Sequence, residues 1–195
     1  GENDEADRAE NRLAKIEASE KSSIGVKNSS ESIKSGPNSE DIKAAESMSN
    51  QDRSAMILSM VEQLAARLES NPDDLEGWLR LARSWKVLKE YKKSMKAFAR
   101  AAELSPDDAM IQASLGRAII EANQDSEVIP KDAILAFRNV LLLAPNHMEA
   151  LWFVGYSEAE NGNISVAKDF WSRLINLLPP GSDDYNAVKR AIESL

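Results

Sequence analysis

Four prolines set the frame of this chain: Pro72, Pro106, Pro145 and Pro179 stand 34, 39 and 34 residues apart. A shared period of that size marks stacked helical units, each of which buries little by itself, so the chain must be read unit by unit. The unit from Asn71 to Asp108 is the clearest, opening on NPDD and closing on SPDD. Between them Leu75, Trp78, Leu81, Ala82 and Trp85 recur at three- and four-residue spacing. Met95, Phe98, Ala101 and Ala102 do the same after a tight turn at Lys89 and Glu90. Such spacing places each set on one helical face and predicts antiparallel helices over 73–87 and 91–104. Asp73 or Asp74 can cap the first of them.

The pattern restarts after Pro106 with Ile111, Leu115, Ile119 and Ile120, and with Gly116 at the close-contact position. The partner helix, over 133–143 with Leu135, Ala136, Phe137, Val140 and Leu141, is delayed by the polar stretch 122–132. Pro130 suits the first turn of that helix. A third pair follows over 148–161 and 164–178, with Leu151, Val154 and Gly155, then Ala167, Trp171, Leu174 and Leu177, and with Gly162 as a left-handed stop. A leading helix over 53–70 carries one apolar stripe, Met56, Ile57, Met60, Val61, Leu64, Ala65 and Leu68. A last helix over 182–195 presents Tyr185, Val188, Ala191, Ile192 and Leu195 and closes the stack. No alternating strand pattern competes. The expected fold is all-α: a helical-hairpin solenoid of three repeats, at about 73–107, 108–146 and 147–180, between amino- and carboxyl-terminal capping helices.

Residues 1–50 differ from the rest. They hold ten serines, eighteen charged residues and no aromatic, too little apolar surface to offset the entropy of ordering, and they are read as a disordered tether. A transient helix over 7–21 is the exception. The net charge of −8 divides evenly about residue 50, and no dense basic patch is present, which argues against a nucleic-acid partner. The absence of cysteine excludes disulfides, thiolate metal sites and CxxC redox chemistry. The lone His147 follows a boundary proline and suits a helix start better than a metal. No paired acid and base, phosphate loop or metal spacing points to an enzyme. The longest purely apolar runs, such as Val140 to Ala144, are far short of a membrane span, and the chain begins at Gly1. It is therefore read as a soluble portion whose targeting or membrane segment is missing.

Trp78, Leu81, Ala82, Trp85, Ser94, Phe98, Ala101 and Pro106 resemble the tetratricopeptide repeat at its characteristic places. Leu151, Val154, Gly155, Ala167, Trp171, Leu174 and Pro179 repeat the match, although Glu158 stands where an aromatic is usual. The second unit has Leu115, Gly116, Ile119, Ala133, Phe137, Val140 and Pro145, with a polar Gln112 at its first large position. Longer wording is similar to the CcmI/CycH family of cytochrome c-type biogenesis proteins: the LAARLE and NPDDLEGWLRL entry, the NHMEALWFVG unit and the FWSRLINLLPPGS exit. The likeness covers about Met60 to Leu195. It implies the periplasmic domain of an inner-membrane protein, attached only through a segment outside this chain. It also implies a non-enzymatic, cofactor-free chaperone that holds the carboxyl-terminal helix of apocytochrome c and works with other cytochrome c maturation proteins. The alternatives are an accessory protein for multihaem nitrite reductase assembly and a scaffold for haem-ligation membrane proteins.

In such a stack the first helix of each pair lines the concave side. The partner-facing places are then Leu79, Arg80, Arg83 and Lys86 in the first unit, Ala113, Ser114 and Arg117 in the second, and Trp152, Phe153, Tyr156 and Glu160 in the third. The expected groove is basic at one end and aromatic at the other. A bound amphipathic helix would bury apolar anchors against Trp152 and Tyr156 and pair its carboxylates with Arg83 and Arg117. Phe153 also suits packing inside its own unit. Leu79 and Ala113 stand where carboxylate-clamping repeats use polar groups, which disfavours a partner recognised by such a clamp. The acidic clusters Asp73, Asp74, Glu76 and Asp107, Asp108 lack the glycine and spaced acid of a calcium loop and suit helix N-termini.

Overall fold

In the computed structural model of the chain, residues 49–195 are described; the expected tether and its transient helix lie outside them, apart from the last residues before 51. Among the described residues there are eight α-helices and no strand. They are α1 (Asn50–Ser70), α2 (Leu75–Val87), α3 (Tyr91–Leu104), α4 (Ala109–Ala122), α5 (Lys131–Leu143), α6 (Met148–Glu160), α7 (Ile164–Ile175) and α8 (Asp183–Glu193). Consecutive helices pack together, with the tightest association inside the pairs α2/α3, α4/α5 and α6/α7. The all-α, helix-pair solenoid is therefore the observed architecture.

The caps show why the helices begin where they do. Asp74 accepts from the Gly77 amide at 2.8 Å, and Asp108 from the Met110 and Ile111 amides at 2.8 and 3.1 Å. His147 holds the same place in the third unit, its Nδ1 accepting from Ala150 at 3.3 Å, and Ser182 opens α8 through the Tyr185 amide. Each cap satisfies a donor that the first turn leaves free.

Each unit also has to satisfy the carbonyl of its boundary proline. Trp78 Nε1 donates to the Pro72 carbonyl at 2.8 Å, and thirty-four residues on Gln112 Nε2 donates to that of Pro106 at 3.2 Å. The polar Gln112 thus replaces the tryptophan's hydrogen bond while remaining buried. Leu151 has no donor at the equivalent place, and Arg173 supplies one to Pro145 instead. Glu158, in the aromatic's position, is buried because it is paired: Arg138 bonds one oxygen and Asn163 Nδ2 the other at 2.7 Å. Small residues set the approach of paired helices. A Cβ on Gly116 would come within 2.9 Å of the Phe137 ring, and one on Gly155 within 2.6 Å of Trp171 Nε1.

Several boundaries and faces differ from the sequence reading. Pro130 caps α5 from outside, in extended conformation, and the helix begins at Lys131. The last helix of the third pair ends at Ile175, because Leu177 and Leu178 turn back to Leu174 and Ile175 by tighter three-residue bonds ahead of Pro179. Leu177 is consequently 40% exposed, and Leu135 on α5 is 59% exposed. The stripe on α1 is wider than α2 can cover. Val61 and Leu68 are buried, whereas Ile57 and Met60 stay exposed.

Candidate functional site

The residues predicted to line one groove fall into two environments and three clefts. Leu79 and Ala113, 8% and 0% exposed, are core side chains and have no surface to offer a ligand. Phe153 is turned inward too, stacked on Phe137 with ring centroids 4.8 Å apart. The remaining predicted positions are exposed or half-buried, and their partners decide what they can bind.

The basic positions are not equivalent. Lys86 Nζ lies 2.5 Å from Glu121 Oε1, which bridges α2 to α4, and Arg117 lies 3.6 Å from Glu149 Oε2, which bridges α4 to α6. Arg117 also donates to Ser114 Oγ at 3.5 Å, while the Ser114 hydroxyl donates to the Met110 carbonyl. Among the described residues Arg80 and Arg83 make no ion pair. They line a cleft of about 390 Å³ between α1 and α2, whose apolar wall includes Ile57, Val61, Val87 and Leu88.

The aromatic positions also separate. Trp152 stacks on Trp171 at 5.4 Å, and its carbonyl accepts from Trp171 Nε1 at 3.2 Å, so its ring is held by α7. It opens on a mainly apolar cleft of about 350 Å³ formed with Met148, Leu174, Leu178, Ala187 and Val188, with Glu149 and Asp184 at the rim. Tyr156 and Glu160 instead line a cleft of about 360 Å³ walled by the inserted loop at Glu127, Val128 and Ile129 and by Ile134 and Leu135 of α5. The loop braces itself: Ser126 Oγ donates to the Val128 carbonyl and accepts from its amide.

The sequence reading missed the acids Glu121 and Glu149, which neutralise two of the predicted cations. The signal was available, since Glu121 lies about one repeat after Lys86 and Glu149 about one repeat after Arg117. It also missed the contributions of α1 and α8 to the end clefts, because hairpin periodicity does not show which flanking face a capping helix meets. Among the described residues no group of His, Cys, Asp or Glu could hold a metal ion, and no helix is long and apolar enough to cross a membrane.

A family model described as the cytochrome c-type biogenesis protein H TPR domain matches residues 40–185. The chain belongs to this family. Relatives of this biogenesis TPR family are also found by direct comparison. The cytochrome c-type biogenesis protein CycH of Bradyrhizobium diazoefficiens is 45% identical over 69 residues, covering 35% of this chain and 19% of the relative. CycH of Rhizobium meliloti is 55% identical over 47 residues, or 24% and 12% of the two chains. CycH of Pseudomonas aeruginosa is 26% identical over 137 residues, or 68% and 33%. The chain thus spans about a third or less of the length of these curated relatives. Among solved structures, one of MamA aligns with a TM-score of 0.57 at 16% identity over 82% of this chain and 85% of that one. At that identity the likeness concerns the fold alone.

Proposed function

We propose that this biogenesis TPR domain is a non-enzymatic chaperone module of cytochrome c maturation that holds an apocytochrome c by its carboxyl-terminal helix. Family membership supports the biogenesis role. The observation that carries the binding reading is the Trp152 cleft: a mainly apolar recess on the first-helix face, with an indole held in place by Trp171, between α6, α7 and the capping helix α8. Rigid aromatic anchors of this kind bind at small entropic cost and dominate interface energies. An amphipathic client helix would seat apolar residues against Trp152 and Leu174, with basic residues toward Glu149 and Asp184. Its carboxylates would reach Arg117 by displacing Glu149, an exposed pair worth little to keep. Holding a client needs no reaction, so the role requires none of the chemistry that the cysteine-free sequence lacks.

In this reading the domain works in the periplasm, beside other maturation proteins, and residues 1–50 tether it to a membrane portion outside this chain. The test is capture of full-length apocytochrome c from the same host by the immobilised chain, compared with an apocytochrome lacking its carboxyl-terminal helix. Retention of the first and loss of the second is the expected result. Equal capture of both overturns the assignment of the helix as the recognised element.

A further inference from the structure

The cleft between α1 and α2 is separate from the Trp152 cleft, and its chemistry is different. We infer that it is a second docking site, for an acidic amphipathic helix of a partner protein. Three features of the surface point there. Its cations, Arg80 and Arg83, are free of ion pairs among the described residues, whereas Lys86 and Arg117 on the neighbouring first-helix surface are engaged by Glu121 and Glu149. Its apolar floor is left open: Ile57, one turn before the buried Val61, is 41% exposed, and Val87 is 82% exposed. Its shape is long, because the lining positions on α2 run from Glu76 to Val87, about 16 Å at 1.5 Å per residue.

A groove of that length matches three turns of a helix laid along it, with apolar anchors at three- and four-residue spacing facing Ile57, Val61 and Val87. Acids on the flank of that helix would meet Arg80 and Arg83, both able to bind a carboxylate through two N–H groups. Glu76 at the other end of the groove fixes the register by favouring a basic or neutral residue there. An anionic membrane is the less suitable occupant, since surface binding of lipid needs a cluster of several cations and here two stand beside a glutamate on an acidic chain.

The probe is a fifteen-residue peptide with leucines on one face, glutamates on the flank and a lysine toward one end, titrated against the whole chain by fluorescence anisotropy. The glutamates are replaced by lysine in the control. The expected outcome is saturable, salt-sensitive binding of the acidic peptide and at least tenfold weaker binding of the control. Arg80→Glu with Arg83→Glu should weaken the acidic peptide at least tenfold at unchanged helicity, as should Val87→Asp alone. In Trp152→Ala the acidic peptide should still bind, and still weaken at least tenfold on adding Arg80→Glu with Arg83→Glu, which separates this site from the apocytochrome cleft. Equal binding of both peptides, no effect of the arginine and valine variants, or loss of binding in Trp152→Ala overturns the proposal. Binding of phosphatidylglycerol vesicles that the acidic peptide fails to displace overturns it as well and makes the surface a membrane contact.

Discussion

Lys89 sits with φ of 60° in the turn between α2 and α3, in the left-handed region that Gly162, with φ of 77°, occupies in the equivalent turn of the third pair. A side chain there costs roughly 1–2 kcal/mol, partly offset by the greater unfolded-state freedom of glycine. Lys89→Gly is therefore expected to stabilise the fold by about 0.5–1 kcal/mol, seen as a higher urea midpoint. Gly155→Ala acts in the other direction, because its Cβ would meet the Trp171 ring at 2.6 Å and that ring is fixed by stacking on Trp152. A loss of about 1–3 kcal/mol is expected, together with a changed tryptophan emission. Arg138→Ala would leave the buried Glu158 carboxylate with Asn163 as its remaining partner, since Arg138 is itself half exposed. A cost of about 1–3 kcal/mol in chemical denaturation is expected, and Glu158→Gln in that background should recover part of it. The periodicity of the sequence located Lys89 as a turn residue and Gly155 and Glu158 as motif positions, but not Arg138. It did not identify their partners, because a hydrogen bond such as Gln112 to Pro106 satisfies the site by chemistry that an apolar template does not score.

At the scale of elements, the capping helices differ from the hairpins they cover. Among the described residues both α1 and α8 have a packed neighbour on one side only, and Val188 is the one buried residue of α8. Solenoid stability is a sum over neighbouring interfaces, so the ends open first. Amide hydrogen exchange should show α1 and α8 less protected than α2 to α7, and uniform protection across all eight helices would contradict this. The helix order and the three hairpins were legible in the sequence because Trp78, Leu81, Ala82 and Trp85 and their counterparts repeat at fixed spacing. The single groove was not, for a physical reason: Leu79 and Ala113 occupy nominally partner-facing places, yet close neighbours bury them. The ion pairs Lys86–Glu121 and Arg117–Glu149 consume charge that a single-helix reading leaves free. The polar stretch 122–132 is legible as an insertion, but its role as the wall of the Tyr156 cleft depends on where its turn folds back.

For the whole molecule, a repeat scaffold carries the apolar cleft at Trp152, the proposed seat of a client helix. Neither a fold match nor family membership supplies that contact, so it has to be measured on this chain. The direct measurement is calorimetric titration of the chain with a peptide comprising the carboxyl-terminal helix of its host's apocytochrome c, repeated with Trp152→Ala. Saturable one-to-one binding to the unaltered chain is expected, with at least tenfold weaker binding to Trp152→Ala at unchanged helicity, a difference of about 1.4 kcal/mol or more. Absence of heat and of any tryptophan change at saturating peptide, or equal affinity of the two proteins, would contradict the proposed seat.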